Sequence, residues 1–296
     1  MAYIEERATA PEPFFLYLTP SSPHEPCLEE VVPEFARGRS QAGPRGDMVW
    51  LVDWLVGQVL AALDRTGQAK NTLVIVTSDN GALPGDRKRN PSAEDTVENL
   101  YYTYGHKSCG DWRGYKAHIW EGGHREPLIM RWPGHIQPGS TSHDLVCLTD
   151  LMATCAAMLD VALPDDAAED SVNVYPILTG QPVDSPLRTD LIHHSSMGAF
   201  SIRKGAWKCI FGTQGSGGWP PPRDGAPVAG APGQLYNLDD DPAEQTNLWD
   251  AHQDVVAELA DLLEAYQAQG RSVPHRSAAP TPHASATDIL NKTGRT

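Results

Sequence analysis

Two short runs of uninterrupted apolar residues, 14–19 (FFLYLT) and 73–77 (LVIVT), constrain the fold more than any other feature of this chain. Apolar runs of that length, each stopped by turn residues, read as strands buried on both faces. Pro20-Ser21-Ser22-Pro23 closes the first run, and Ser78-Asp79-Asn80-Gly81 closes the second. Between them, Val49, Val52, Leu55, Val56, Val59, Leu60 and Leu63 recur at intervals of three and four, the period of an amphipathic helix over 46–66, and Gly67 suits its end. Strand, helix, strand is the unit of parallel α/β folds. The expected architecture is therefore α/β, with a central, largely parallel sheet flanked by helices.

Beyond the second run, residues 83–110 are polar and read as a long surface loop. Residues 127–132 (PLIMRW) predict a third strand, and 145–159 have helical spacing after Ser142-His143-Asp144, a plausible cap. The character then changes. Short segments at 191–194, 200–203, 207–211 and 235–238, set among Gly and Pro, predict a small antiparallel sheet, and 251–268 predict a closing helix. Residues 212–233 read as an exposed Gly/Pro-rich insertion and 271–296 as a disordered polar tail. The expected division is 1–185 for the α/β part, 186–270 for the small sheet with its helix, and 271–296 for the tail.

The charge balance removes one class of function. Lys and Arg number 23 against 38 Asp and Glu, a formal net charge of -15, and no basic stripe appears, so nucleic acid is not an expected partner. The acidic stretches 160–170 and 239–244 read as solvated loops. An anionic substrate would need a local cationic cluster. Five cysteines without a CxxC pattern suggest neither a disulfide framework nor a zinc site. No uninterrupted apolar run is long enough to span a bilayer, no signal peptide is visible at residues 1–13, and the compartment stays open.

Ligands of open α/β sheets sit outside the carboxyl ends of strands, where His24 follows the first run and Asp79 and Asn80 follow the second. An Asp carboxylate beside an Asn carbonyl offers the hard oxygens that calcium or magnesium takes, although Asp-Asn-Gly is equally an ordinary turn. A denser constellation follows: Gly105-His106-Lys107, Arg113-Gly114-Tyr115-Lys116, and Trp120-Glu121-Gly122-Gly123-His124-Arg125-Glu126-Pro127. Ser78-Asp79-Asn80-Gly81 followed by Arg-Gly-x-Lys and Glu-Gly-Gly-x-Arg-x-Pro resembles the type I sulfatases, arylsulfatase-like members of the alkaline phosphatase superfamily. Residues 13–26 (PFFLYLTPSSPHEP), 203–208 (RKGAWK), Leu235-Tyr236-Asn237-Leu238 and Asp241-Pro242-Ala243-Glu244 extend the resemblance over roughly residues 10 to 270.

That resemblance implies a sulfuric ester hydrolase acting on a sulfated sugar or aryl sulfate, in a family often exported or lysosomal. It implies that Asp79 and Asn80 are two ligands of a divalent cation, usually Ca2+, and that Lys116 and His24 hold the sulfate and its leaving oxygen as substrate-binding and catalytic residues. The chemistry agrees with those residue types. Sulfate-ester hydrolysis builds negative charge on the sulfuryl and bridging oxygens, which an ammonium and an imidazole aimed there stabilise. An imidazolium beside a departing alkoxide can also serve as general acid. Glu121, Arg125 and Arg113 read as ion-paired support for the Lys116 loop, and His193 and His194 as structural residues. His106 and His124 stay open between support and chemistry.

The family's nucleophile is a formylglycine made within Cys/Ser-x-Pro-x-Arg, and the chain is expected to lack that segment. The nearest string, Ser21-Ser22-Pro23-His24-Glu25, ends in Glu. The paired aspartates that complete the family's metal site are also not found before Phe14. The chain therefore reads as the carboxy-terminal portion of a sulfatase, inactive by itself and completed by an upstream amino-terminal segment. Two other readings stay open: a non-catalytic remnant that binds an anion, and a phosphoester hydrolase of the same superfamily.

Overall fold

A computed structural model describes residues 1–83, 104–213, 215–218 and 231–276. Most of the loop expected over 83–110 lies outside the described residues. The elements are helices α1 (Ala2–Arg7) and α2 (Gly43–Arg65), strand β1 (Val74–Thr77), the single turn α3 (Glu121–His124), strand β2 (Leu128–Arg131), helices α4 (Asp150–Met158) and α5 (Tyr175–Leu178), strands β3 (Asp190–His194), β4 (Phe200–Lys204), β5 (Trp207–Phe211) and β6 (Gly233–Asn237), and helix α6 (Gln253–Gln269). Pro44 starts α2, where its missing N–H costs nothing. At the other end the Ala62 carbonyl accepts both the Thr66 backbone N–H at 3.1 Å and the Thr66 hydroxyl at 2.8 Å, which fastens the last turn.

The expected parallel sheet is corrected. β1 pairs with β2 antiparallel, Val74 opposite Arg131 and Thr77 opposite Leu128, and no parallel ladder occurs among the described residues. Residues 14–19 carry no regular secondary structure and enter no sheet among the described residues. The physical reason is that an apolar run makes a strand only against a neighbour, and the described residues offer residues 14–19 none. Helix α2, whose apolar run Asp53 interrupts, nevertheless meets the length and mean composition of a membrane-crossing helix.

The carboxy-terminal sheet follows its sequence pattern closely. β3, β4, β5 and β6 pair in chain order, all antiparallel. Its core joins Ile202, Cys209 and Leu235 of the sheet to Val256, Leu259 and Leu263 of α6, with Trp249. The three helix residues recur at three and four, so one face of α6 lies on the sheet. Gly270 then ends the helix in the left-handed conformation at φ 69°, its N–H returning to the Tyr266 carbonyl.

Three stretches read as solvent-facing are in part buried. Glu244, in the acidic run 239–244, is wholly buried. Ser216, in the expected insertion, is buried as well and its carbonyl accepts the Ile119 N–H at 2.8 Å. Residues 271–276, assigned to the tail, are pinned to the acidic loop 160–170. Asp165 accepts from Arg271 Nη1 at 2.9 Å, from His275 Nδ1 at 2.7 Å and from the Arg276 backbone at 2.7 Å, and Asp170 accepts from Ser272 Oγ at 2.8 Å. Sequence composition shows net charge but not the opposite charge that a distant segment brings to it. Residues 277–296 lie outside the described residues.

Candidate active site

Three backbone segments meet where the motifs predict chemistry, and glycines let them approach. A Cβ on Gly81 would stand 1.8 Å from the Gly122 carbonyl oxygen, and one on Gly122 would stand 2.3 Å from that of Gly114. No side chain fits at those separations, so the Gly residues of the two motifs are required by contact. Hydrogen bonds lock the arrangement: Gly81 N–H to Gly123 O at 3.2 Å, Gly122 N–H to Arg113 O at 2.7 Å and Lys116 N–H to Ala82 O at 2.8 Å. The last of these ties the Lys116 backbone to the loop that carries Asp79 and Asn80.

Lys116 and His24 are brought together. Lys116 Nζ lies 3.3 Å from His24 Nε2 across a separation of 92 positions. His24 Nδ1 lies 2.9 Å from the Glu25 carbonyl, which can only accept, so Nδ1 carries the proton and Nε2 is left to accept from the ammonium. Asp79 is exposed and Asn80 is half-buried. No hydrogen bond or ion pair joins either to Lys116 or His24 among the described residues.

Asp79 has an acidic neighbour that the sequence reading passed over. Burial pushes the Glu126 carboxyl up to about 7; the Ser78 hydroxyl, by hydrogen bonding, pulls it down, and the Asp79 charge adds to the rise. Glu126 also lines a cleft of about 240 Å³ with Gly81, Ala82, Cys109, Trp112 and Arg125. The cleft borders the Asp79–Asn80 loop and does not reach the Lys116–His24 contact. No three Asp, Glu, His or Cys side chains among the described residues stand together as a cation would need. The described residues thus do not make up a complete cation site.

Support comes from a charge cluster between the motif turn and the carboxy-terminal sheet. Lys208 of β5, fully buried, places Nζ 3.0 Å from Glu121 Oε1 and 2.9 Å from Glu244 Oε1. Arg125 bonds Glu121 Oε2 at 3.0 Å, and Arg203 stands 3.8 Å from it. Arg113 donates to the Glu244 carbonyl at 2.7 Å and to Tyr236 Oη at 3.1 Å, with its guanidinium 3.7 Å from the Trp120 ring centroid. Burial alone would raise the Glu121 pKa, but Lys208, Arg203 and Arg125 together outweigh it and hold the carboxyl below its usual range. For Glu244 burial wins over Lys208, and its pKa is raised. Glu121 and Arg125 are ion-paired as expected, whereas Arg113 is held by the Glu244 carbonyl, the Tyr236 hydroxyl and the Trp120 ring and forms no ion pair among the described residues. Lys208 and Glu244 were missed in that role, although both stand in quoted motifs, because nothing local shows that β5 faces α3.

His124 and His193 also lie between these regions. Their ring centroids are 4.1 Å apart. Burial, then the Lys208 charge, lower His124 to about 4 and His193 well below its ordinary value. His193 Nε2 lies 3.4 Å from the Ile119 carbonyl, which suits the structural role expected of it, while His194 Nδ1 bonds the Ser195 carbonyl at 3.0 Å. His106 is exposed and Lys107, next to it, pairs with Asp111 at 2.6 Å.

A family profile described as Sulfatase matches residues 1–161. The N-acetylgalactosamine-6-O-sulfatase of Bacteroides thetaiotaomicron is 34% identical over 263 residues, which cover 86% of this chain and 47% of that protein. The chain belongs to the sulfatase family. Human arylsulfatase A is likewise 34% identical, over 266 residues covering 86% of this chain and 48% of its own. A solved structure from a glycosaminoglycan-metabolism locus of Bacteroides thetaiotaomicron superposes with a TM-score of 0.75 at 31% identity, covering 90% of this chain and 52% of that one. This sulfatase-family chain thus spans about half the length of the curated relatives it matches.

One expectation about the nucleophile needs correction. The pattern Ser-x-Pro-x-Arg does occur, at Ser272-Val273-Pro274-His275-Arg276. It follows α6, and among the described residues its hydrogen bonds go to residues 164–170 or to neighbours within 271–276. With only three of five positions fixed, the pattern is weak by itself. Here those residues hold the 160–170 loop, and none bonds His24 or Lys116.

Proposed function

We propose that this chain supplies the sulfate-holding part of a sulfatase active site and hydrolyses sulfate esters only when another segment provides the nucleophile. The observation that carries the reading is the 3.3 Å approach of Lys116 Nζ to His24 Nε2. Two basic groups at that separation, one an ammonium, can share one sulfuryl group, Lys116 on a nonbridging oxygen and His24 toward the bridging one. When a sulfate oxygen takes the place of His24 as the ammonium's acceptor, Nε2 is free to carry a proton for the leaving oxygen. Asp79 and Asn80 are proposed as two ligands of the family's divalent cation, with the remaining ligands from outside the described residues. The substrate class is a sulfate ester of a sugar or an aryl alcohol, as the names of the relatives suggest. Within this reading, residues 1–185 form the α/β part and 186–270 a buttress for its Lys116 loop.

The purified 296 residues should show no turnover of an aryl sulfate, since none of their described groups is placed both to attack sulfur and to release sulfate. Metal-dependent hydrolysis by this chain alone, surviving in the Ser272→Ala variant, would contradict the proposed division of labour.

A further inference from the structure

Lys116 occupies the second position of a tight turn, Tyr115 to His118, that is closed twice. The His118 N–H donates to the Tyr115 carbonyl at 3.0 Å, and the Tyr115 N–H donates to His118 Nδ1 at 3.2 Å. The His118 ring is buried against the turn it fastens. Ala117, directly after Lys116, sits at φ 78°, the left-handed region that a turn of this kind favours for Gly and that a Cβ makes unfavourable. A strained residue persists only where its surroundings fix it.

Two segments distant in sequence do so. The Ala117 carbonyl accepts the Ser196 N–H at 3.1 Å, and a Cβ on Gly218 would stand 2.2 Å from the same carbonyl oxygen, so Gly218 lies directly against it. The Met197 N–H donates to the Gly217 carbonyl at 3.2 Å and ties the two segments together, while Gln234 Nε2 donates to the Gly215 carbonyl at 2.9 Å and anchors them to β6. On the other side the Lys116 N–H is held by the Ala82 carbonyl. The Lys116 backbone is therefore fixed before and behind, which leaves its side-chain torsions as the main freedom of the ammonium and keeps it within reach of His24.

We propose that His118 and Gly218 are positioning residues, which hold Ala117 left-handed and so aim the Lys116 ammonium at the place where a sulfuryl oxygen binds. The inference rests on the functional reading above and deepens it by naming what orients its lysine. The test reads the contact itself. At about pH 8 the unprotonated His24 Nε2 gives a 15N signal that moves when the nitrogen accepts a hydrogen bond. His24→Gln assigns that signal, and Lys116→Ala gives its position without the contact. His118→Leu, which takes the acceptor from the Tyr115 N–H, and Gly218→Ala, which pushes on the Ala117 carbonyl, should both move the signal to its Lys116→Ala position.

His118→Asn, whose side-chain oxygen can take the place of Nδ1, should restore the contact. Ala117→Gly relieves the left-handed strain and removes no hydrogen bond, so it should keep the contact. Titrated with inorganic sulfate, His118→Leu and Gly218→Ala should bind about tenfold or more weakly than the parent chain, as loss of a hydrogen bond to a charged group implies. If sulfate does not bind the parent chain either, the functional reading fails while the His24 signal still decides the positioning inference. An unmoved signal in folded His118→Leu and Gly218→Ala, no rescue by His118→Asn, or a lost contact in Ala117→Gly would each overturn the proposal, the last even where the other variants do not fold.

Discussion

The sheet β3–β6 with α6 and the region around β1, β2 and α2 differ in how their apolar residues are used. In the former, Ile202, Cys209 and Leu235 are buried to the last few per cent beneath α6. In the latter, Phe15, Tyr17 and Val49 face solvent, and so does Ile129 of β2. The self-covered region carries none of His24, Asp79, Asn80 or Lys116. It supplies Lys208 and Glu244, which hold the turn beside them. The candidate chemistry thus rests on the half that is least complete, braced from behind by the half that is most complete.

The largest effect should come from the brace. Lys208→Met leaves Glu121 and Glu244 buried around a lost ammonium, an uncompensated charge that costs about 3–5 kcal/mol. Urea denaturation should show that loss, and a cost below about 1 kcal/mol would mean the two regions are not coupled through this cluster. Next, Leu259→Ala in the covered core should cost about 2–5 kcal/mol, whereas Phe15→Ser in the open region should change the stability of the isolated chain by no more than about 0.5 kcal/mol. Equal costs would erase the contrast.

Acid should act on the seam between the regions. His124 has its folded pKa depressed to about 4 from an unfolded value of 6.5, so its contribution is complete above pH 6.5 and is lost as the pH falls from there toward 4. Burial of His193 acts in the same direction. The loss from His124 is at most about 3 kcal/mol. Glu126 opposes it: its carboxyl, raised from 4.5 to about 7, makes the fold less stable as pH rises between those values. Melting curves across pH 4–7 should therefore flatten on the acid side in His124→Gln and steepen toward acid loss in Glu126→Gln. The same slope in all three proteins would remove both groups from the account.

Calcium should have the smallest effect. Asp79 offers one carboxylate and Asn80 one carbonyl, against the six to eight oxygens calcium prefers, so binding should be about millimolar or weaker. At about 1 mM ion that corresponds to about 0.4 kcal/mol of stabilisation. Titration calorimetry giving micromolar affinity would mean the open region builds a fuller site from residues outside the described set.

Much of the carboxy-terminal sheet was legible in sequence because its strands pair antiparallel in chain order, with short Gly-containing connections from β3 to β4 and from β4 to β5. The segment 207–211 coincides with β5, and the period of 251–268 finds α6 within two residues at its start. The parallel sheet was not legible in the same way: an apolar run such as 14–19 states what a strand needs and not whether a neighbour is present. Lys116 and His24 were singled out by motif context, but the glycine-dependent backbone links place only Lys116, and nothing local in the sequence shows that His24 comes within 3.3 Å of it. Glu126, Lys208 and Glu244 escaped because their roles depend on charges brought from other elements.

Hydrogen exchange on the intact 296-residue chain tests the contrast between the two regions most directly. Amides of β4, β5, β6 and α6 should exchange only through global opening, while those of residues 14–19 should exchange within seconds, as unpaired backbone does. Protection of residues 14–19 comparable to that of β5 would show that the apolar strand is already covered, and would contradict the account of an open half braced by a closed one.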